Sequence, residues 1–385
     1  MLLWEIVLFG SWLVIAFNYV GYAIIALIIN KLRPFRAAMV PAEAPLPRLT
    51  FIVAAYNEAD CIAAKLDNCL AQDYPTDRVE WLFVTDGSTD ATPDIVRSYP
   101  GVRLLHQPGR GGKSAALNRA VAAATHPIII ASDANTLLNK DAVSLIAAHY
   151  SDPMVGGVAG EKKVVAAASG GGSDASVGEG EGAYWKYESA LKRIDSRFYS
   201  VVGAAGELFS FRKERYTPVD PGVILDDFVI SMRIAAAGYR VLYEPGACAV
   251  ETPSFSMEDE RKRKIRIAAG GFQSVALLRG AISPWRQPRL YYLYISHRVL
   301  RWVASPFCLV LSVLAGAVLC VYSPHPLYRW LWAGQVVFYG LALLPVRGPL
   351  KLPGYFLFMN ISVLQGFVRW LRGRQPGAWE KARRA

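Results

Sequence analysis

Two adjacent carboxylates, Asp226 and Asp227, head an apolar-periodic segment in PGVILDDFVISMRIAAAG, residues 221–238. A helix N-terminus carries unpaired N–H groups and the positive end of the dipole, so it favours an ionised acid. An ionised acid facing a cleft is what a general base requires; an acid in that place also commonly just caps the helix. Asp133-Ala134-Asn135 sets two hard oxygen ligands one residue apart. Mg²⁺ or Mn²⁺ takes one or two such protein oxygens and completes its shell from phosphates and water, although Asx residues also make simple turns. Asp86 suits a hydrogen bond from a base or ribose, or an Asx-turn with Ser88. Tyr56 offers a ring for stacking and Glu58 a ribose partner, against the plainer readings of a rim aromatic and a solvated acid. Lys113, in Gly109-Arg110-Gly111-Gly112-Lys113-Ser114, can reach a diphosphate as a point charge. The loop is no P-loop, because Gln107 stands where that motif needs glycine.

The elements that must position these groups alternate in type. Leu49–Tyr56, Val79–Asp86, Val102–His106 and Pro127–Ser132 are short apolar runs rich in β-branched residues, expected as buried strands. Between them lie helical stretches at Ala59–Ala71, at Thr92–Ser98 with Thr92 as N-cap and Pro93 at N1, and at Ala115–Ala124. Alternating strands and helices make a wound α/β sheet, and such sheets bind ligands beyond the carboxyl ends of their strands. Asn57/Glu58, Asp86, the Gly109–Lys113 loop and Asp133/Asn135 all fall there.

The chain has 385 residues, of which 53% are hydrophobic, and a net charge of +11. Residues Ile6 to Ile29 carry no charge and are long enough to cross a bilayer. With Lys31, Arg33 and Arg36 following, the segment reads as a retained anchor whose basic end is cytoplasmic. Basic residues crowd beside apolar segments, a pattern suited to anionic lipid and not to nucleic acid. The five cysteines show no metal or disulfide spacing, so reduced thiols are expected. Ala166–Gly182 is Gly/Ser-rich and expected as a mobile loop. Glu258–Gly280 reads as an amphipathic helix in the membrane interface. Val299–Tyr322 and Leu327–Val346 are spanning candidates, whereas Tyr355–Val368 is short and holds Asn360 and Gln365. The division expected is an anchor (1–30), a linker (31–48), a catalytic domain (49–255), an interface region (256–290), membrane segments (291–370) and a basic tail (371–385).

Taken together, AAYNE (54–58), TDGSTD (85–90), GRGGKSAALN with Lys113, SDAN (132–135), YWKYE (184–188), GAAGELFSFR (203–212) and LDDF (225–228) resemble the inverting family 2 glycosyltransferases, in their membrane-embedded branch of polysaccharide synthases. The resemblance implies an α/β GT-A catalytic domain facing the cytoplasm, with transmembrane and interfacial helices, in a multi-pass protein of the inner (plasma) membrane. Ala55, Tyr56, Glu58 and Asp86 would hold the uridine of a UDP-sugar, and Lys113 would face its diphosphate. Asp133, with Asn135, would carry Mg²⁺ or Mn²⁺. Asp227 would be the base, and Gly206, Asp226, Arg263 and Arg266 would serve the acceptor.

Asp226 replaces the family's glutamate, and Asn135 one of its aspartates. On this reading the QxxRW motif corresponds to residues 263–267, where Arg266 matches its arginine and Ile267 replaces its tryptophan. The reaction implied builds a cell-surface polysaccharide, with synthase or secretion subunits as compatible partners. Single-sugar transfer to a polyprenyl-phosphate or other lipid acceptor is the alternative, and an inactive nucleotide-sugar-binding regulatory subunit a third.

Overall fold

The computed structural model describes residues 1–32, 46–164, 175–251, 256–344 and 352–373, with residues 175–183 as backbone only. Most of the linker, the first part of the Gly/Ser-rich stretch and most of the basic tail lie outside the described residues.

Helix α1 (Leu2–Ala16) runs through a π-helical segment (Phe17–Gly21) into α2 (Tyr22–Leu32), so the expected anchor is one rod of 31 residues. The region after it then alternates as the sequence predicts. Strand β1 (Leu49–Ala55) is followed by α3 (Ile62–Leu70), β2 (Val79–Asp86), α4 (Thr92–Arg97), β3 (Val102–Gln107), α5 (Lys113–Ala123) and β4 (Ile128–Asp133). Beyond it come β5 (Leu137–Leu138), α6 (Ala142–Ala148), β6 (Val155–Val164), α7 (Ala175–Phe198), β7 (Leu208–Arg212), α8 (Asp226–Ala236) and β8 (Arg240–Glu251). Helix α7 overturns part of the mobile-loop expectation, since the second half of 166–182 is helical. Extending a helix already held by packing adds a hydrogen bond per residue without a new nucleus.

Among the described residues the sheet has eight strands in the order β3-β2-β1-β4-β7-β6-β8-β5. Strands β1 to β4 pair in parallel, and β7 joins β4 antiparallel. Side chains alternate across a strand, and β1 follows this closely. Leu49, Phe51, Val53 and Ala55 enter one apolar core, while Ile52 enters the other with Leu82, Val84 and Ile129. Register then decides the function of the edge. Ala55 pairs with Thr85, Ala54 with Asp133, and Asp86 with Gln107, so the polar strand ends finish level. Antiparallel β7 starts where β4 stops, with Leu208 opposite Ser132, which brings Gly206 and Glu207 to the same edge.

Helix α9 (Met257–Leu277) is followed by α10 (Pro288–Leu293), a π-helical segment (Tyr294–Ala304), α11 (Ser305–Tyr322), α12 (Leu327–Leu343) and α13 (Leu352–Leu371). Among the described residues, two rods are long and apolar enough to cross a membrane: Leu2–Leu32 and Pro288–Tyr322. They pack together, with Asn18 donating to Ser305 Oγ at 2.6 Å and Tyr22 lying over His297. Helix α13 instead runs along α9, where Phe272 meets Phe367 and Trp370. A methyl group on Gly366 would meet Ala268 Cβ at 2.5 Å, so only glycine permits that approach.

Candidate functional site

The apolar lead-in Val223–Leu225 delivers Asp226 and Asp227 as the first two residues of α8, with the dipole and free N–H groups the sequence predicts. Asp227 Oδ1 accepts from the Phe228 N–H at 2.8 Å. Across the strand edge, Lys113 Nζ donates to Asp133 Oδ1 at 2.6 Å. Gly206 lies between these groups. A methyl group there would sit 3.1 Å from Lys113 Nζ and 3.3 Å from Asp227 Oδ2. The lysine, Asp133, Gly206, Asp226 and Asp227 line one crevice at the carboxyl end of the parallel strands. Burial and the neighbouring Asp226 push the Asp227 carboxyl up to about 7, while Lys113 pulls the other way. Burial likewise raises Asp133, helped by Glu207 and Glu251 and opposed by Lys113.

Asp86 accepts from the N–H groups of Gly111 and Gly112 at 2.9 and 2.6 Å, and from Arg119 at 3.0 Å. It therefore clamps the glycine loop instead of forming a turn with Ser88. A small pocket there is lined by Ala54, Ala55, Tyr56, Asp86, Arg110 and Gly112, among others. Arg110 covers the Tyr56 ring at 3.9 Å, so the face expected to stack on a base already holds a guanidinium. Glu58 is buried, and its carboxylate accepts from Cys61 Sγ at 3.3 Å, unlike the solvated acid weighed from sequence. Thr92 does not cap its own helix; its hydroxyl accepts from the Glu58 N–H and donates to Asp90. The described cysteines are all free thiols.

The resemblance implies a divalent cation at Asp133. Among the described residues no group of three His, Cys, Asp or Glu side chains stands together as a cage. A cation of this kind draws most of its ligands from phosphate and water, so a full cage is not required. Burial, Glu207 and Glu251 raise the Asp133 carboxyl, although Lys113 pairs with Asp133 and Lys162 with both glutamates, so a cation at Asp133 would share its carboxylate with Lys113. Asn135 spends its amide N–H on Glu251 at 3.1 Å, leaving the amide oxygen as its ligand atom. The donor set fits.

From Asp227 a cavity of about 500 Å³ opens between the sheet edge and the apolar helices. Trp185, Glu207, Arg263, Arg298, Arg301 and Trp302 are on its wall. Arg266, expected at the acceptor, is not on that wall among the described residues; Arg263 is. Glu188 of α7 receives Arg298 at 2.9 Å and Arg301 in a shorter contact. Trp302 packs edge-on against Phe228, the residue after Asp227, with centroids 5.3 Å apart. Its place is left open by Gly271, where a methyl group would come within 2.6 Å of the indole. Arg298-x-x-Arg301-Trp302 has the spacing of the QxxRW motif, and it sets a tryptophan on Phe228, next to Asp227, where residues 263–267 offer Ile267. The sequence carried that signal in its arginine-tryptophan pair, and the packing of Trp302 on Phe228 brings that stretch to the residue after Asp227.

A wound sheet with these groups at its carboxyl edge is a GT-A glycosyltransferase fold, and comparison with known proteins agrees. Residues 50–216 match the profile described as Glycosyl transferase family 2. It is 28% identical over 258 residues to the poly-beta-1,6-N-acetyl-D-glucosamine synthase of Staphylococcus aureus, a match covering 65% of this chain and 60% of that one. The chain thus spans about three fifths of the length of that relative. The Staphylococcus epidermidis synthase of the same name is 24% identical over 306 residues, 76% of this chain and 72% of the other. A solved mannosyltransferase from Pyrobaculum calidifontis, in complex with GDP-Man and Mn²⁺, superposes with a TM-score of 0.71 at 25% identity, covering 95% of this chain and 99% of that one.

Proposed function

We propose that this chain is a membrane-bound inverting glycosyltransferase that transfers a sugar from a UDP-sugar to a growing cell-surface polysaccharide. The observation that carries this reading is the meeting of Lys113 Nζ and Asp227 Oδ2 over the bare Cα of Gly206. A cation and a base stand within one sugar's reach of each other, one on the donor side and one facing the acceptor cavity. Asp227 takes the proton from an acceptor hydroxyl as its oxygen bonds to the anomeric carbon. The bond from that carbon to the diphosphate breaks, its electron pair leaves with the diphosphate, and configuration inverts. Lys113 neutralises the departing charge, and Asp86 holds the glycine loop that presents it. Mg²⁺ or Mn²⁺ bound at Asp133 and Asn135 would supply further charge neutralisation to the leaving group. Arg263, Arg301 and Trp302 line the path an acceptor saccharide takes to the base.

The Mn²⁺ and nucleotide sugar of the P. calidifontis enzyme and the polymer named for the staphylococcal synthases support the donor class and the product class respectively. A second reading, one sugar passed to a polyprenyl-phosphate or other lipid acceptor, is favoured by the apolar end of the cavity at Leu352, Tyr355, Phe356 and Met359. The basic flanks of the two apolar rods support a multi-pass inner-membrane protein with the sheet domain on the cytoplasmic side. Domain limits near 49–255 for catalysis and 256–290 for the interface helix belong to the same proposal. Purified protein in detergent, given a panel of UDP-sugars and Mn²⁺, should release UDP and build a product ladder, and EDTA should abolish both. One sugar per lipid would favour the second reading, and no UDP release from any donor would refute the proposal.

The raised carboxyl of Asp227 also sets a pH profile. The base must be ionised, and burial holds it protonated until about pH 7. The logarithm of kcat/KM should therefore rise with unit slope below about 7 and level off above it, as the ionised fraction dictates. A flat profile from pH 5 to 8 would remove Asp227 from the role of base.

A further inference from the structure

Lys65, in the middle of α3, has no exposed surface, yet its ammonium is not spent on an ion pair among the described residues. Lys65 Nζ donates to Ser132 Oγ at 2.8 Å and to the Thr136 carbonyl at 2.9 Å. Those two residues are the two ends of the turn that carries Asp133 and Asn135. The same turn is tied further. Ser132 Oγ donates to the Glu207 carbonyl at 2.8 Å, and Thr136 Oγ1 to the Asp133 carbonyl at 3.0 Å. Burial pushes the Lys65 pKa down, and burying a lysine head is expensive, so an apolar side chain would fill the same core at lower cost. What the lysine provides that a methionine does not is two directed N–H bonds, and both are aimed at this one turn.

We infer that Lys65 is a positioning residue of the donor site: it fixes the Ser132–Thr136 turn so that Asp133 and Asn135 present their oxygens to the cation and the donor diphosphate. Helix α3 begins a few residues after the Tyr56–Glu58 turn, so the same lysine ties the nucleotide side of the edge to its cation side. The inference rests on the donor-site reading above. Groups that orient metal ligands from behind typically change affinity by about 10- to 100-fold when lost.

The test is Mn²⁺ binding, read from the electron paramagnetic resonance signal of free Mn²⁺ in the presence of saturating UDP, on the full chain in detergent. Lys65→Met should weaken Mn²⁺ binding about 10- to 100-fold while UDP binding without metal and the acceptor KM stay at their wild-type values. Lys65→Arg should recover part of the loss. Should Lys65→Met fail to fold, Ser132→Ala removes one of the two acceptors of the ammonium and should weaken Mn²⁺ in the same direction. Equal Mn²⁺ affinity in wild type and in the folded variants would overturn the inference and leave the donor site intact. Wild-type protein that binds no Mn²⁺ with UDP would overturn the donor-site reading, and this inference with it.

Discussion

Asp227→Asn is expected to lower sugar transfer by about 10²- to 10⁴-fold, the contribution typical of a positioned general base. The substitution keeps the shape and the hydrogen bond from the Phe228 N–H, so α8 should start where it does now. It removes the one atom that accepts the hydroxyl proton. UDP binding should survive, because Asp86, Lys113 and Asp133 stand on other elements. Two assays on one preparation decide it: UDP release with acceptor present, and UDP affinity by titration. Turnover near wild type would mean that the base is elsewhere, and lost UDP binding would mean that the variant disturbs the fold. The Asn variant should also lose the pH dependence centred near 7.

Glu188→Ala should cost about 3–5 kcal/mol of stability, the usual penalty for removing one partner of a buried ion pair. The Glu188 side chain is 1% exposed and receives both Arg298 and Arg301, with His297 Nε2 a further 3.5 Å away. Its loss strands two guanidinium groups between the sheet domain and the long apolar rod. Because the penalty comes from stranded charge, replacing Glu188, Arg298 and Arg301 together by leucine should recover much of the stability. It should not recover activity, since Arg301 is on the acceptor wall beside Trp302. Thermal unfolding in detergent together with UDP release separates the two effects. If Glu188→Ala unfolds at the wild-type temperature, the cluster does not hold the rod to the sheet.

Several features were present in the sequence because they are local. The apolar runs around Ile52, Phe83 and Ile130 read as buried strands, and the last two end on Asp86 and Asp133, the polar residues their patterns mark. A parallel sheet in register then brings Ala55, Asp86 and Asp133 to one edge without further information. Asp226 and Asp227 announced themselves as a helix start by the periodicity that follows them. Helix α7 beginning at Ala175 was missed, since a Gly/Ser-rich composition points to a loop and only packing further along the helix overrides it.

The rest was decided by contacts between residues about thirty to more than a hundred positions apart, where no period or spacing operates. Lys65 reads as an ordinary helical lysine until the fold lays α3 behind the Ser132–Thr136 turn. Asn135 reads as a plain metal ligand until Glu251, at the far end of β8, takes its N–H. Residues 263–267 read as the QxxRW stretch, although Arg298–Trp302 carries the motif's arginine and tryptophan at the same spacing. The glycines of α9 chose, because Gly271 leaves room for Trp302 to reach Phe228 next to the base. Chain order determined which chemical groups stand at the strand ends; burial of charge in the assembled core determined which neighbours hold them there.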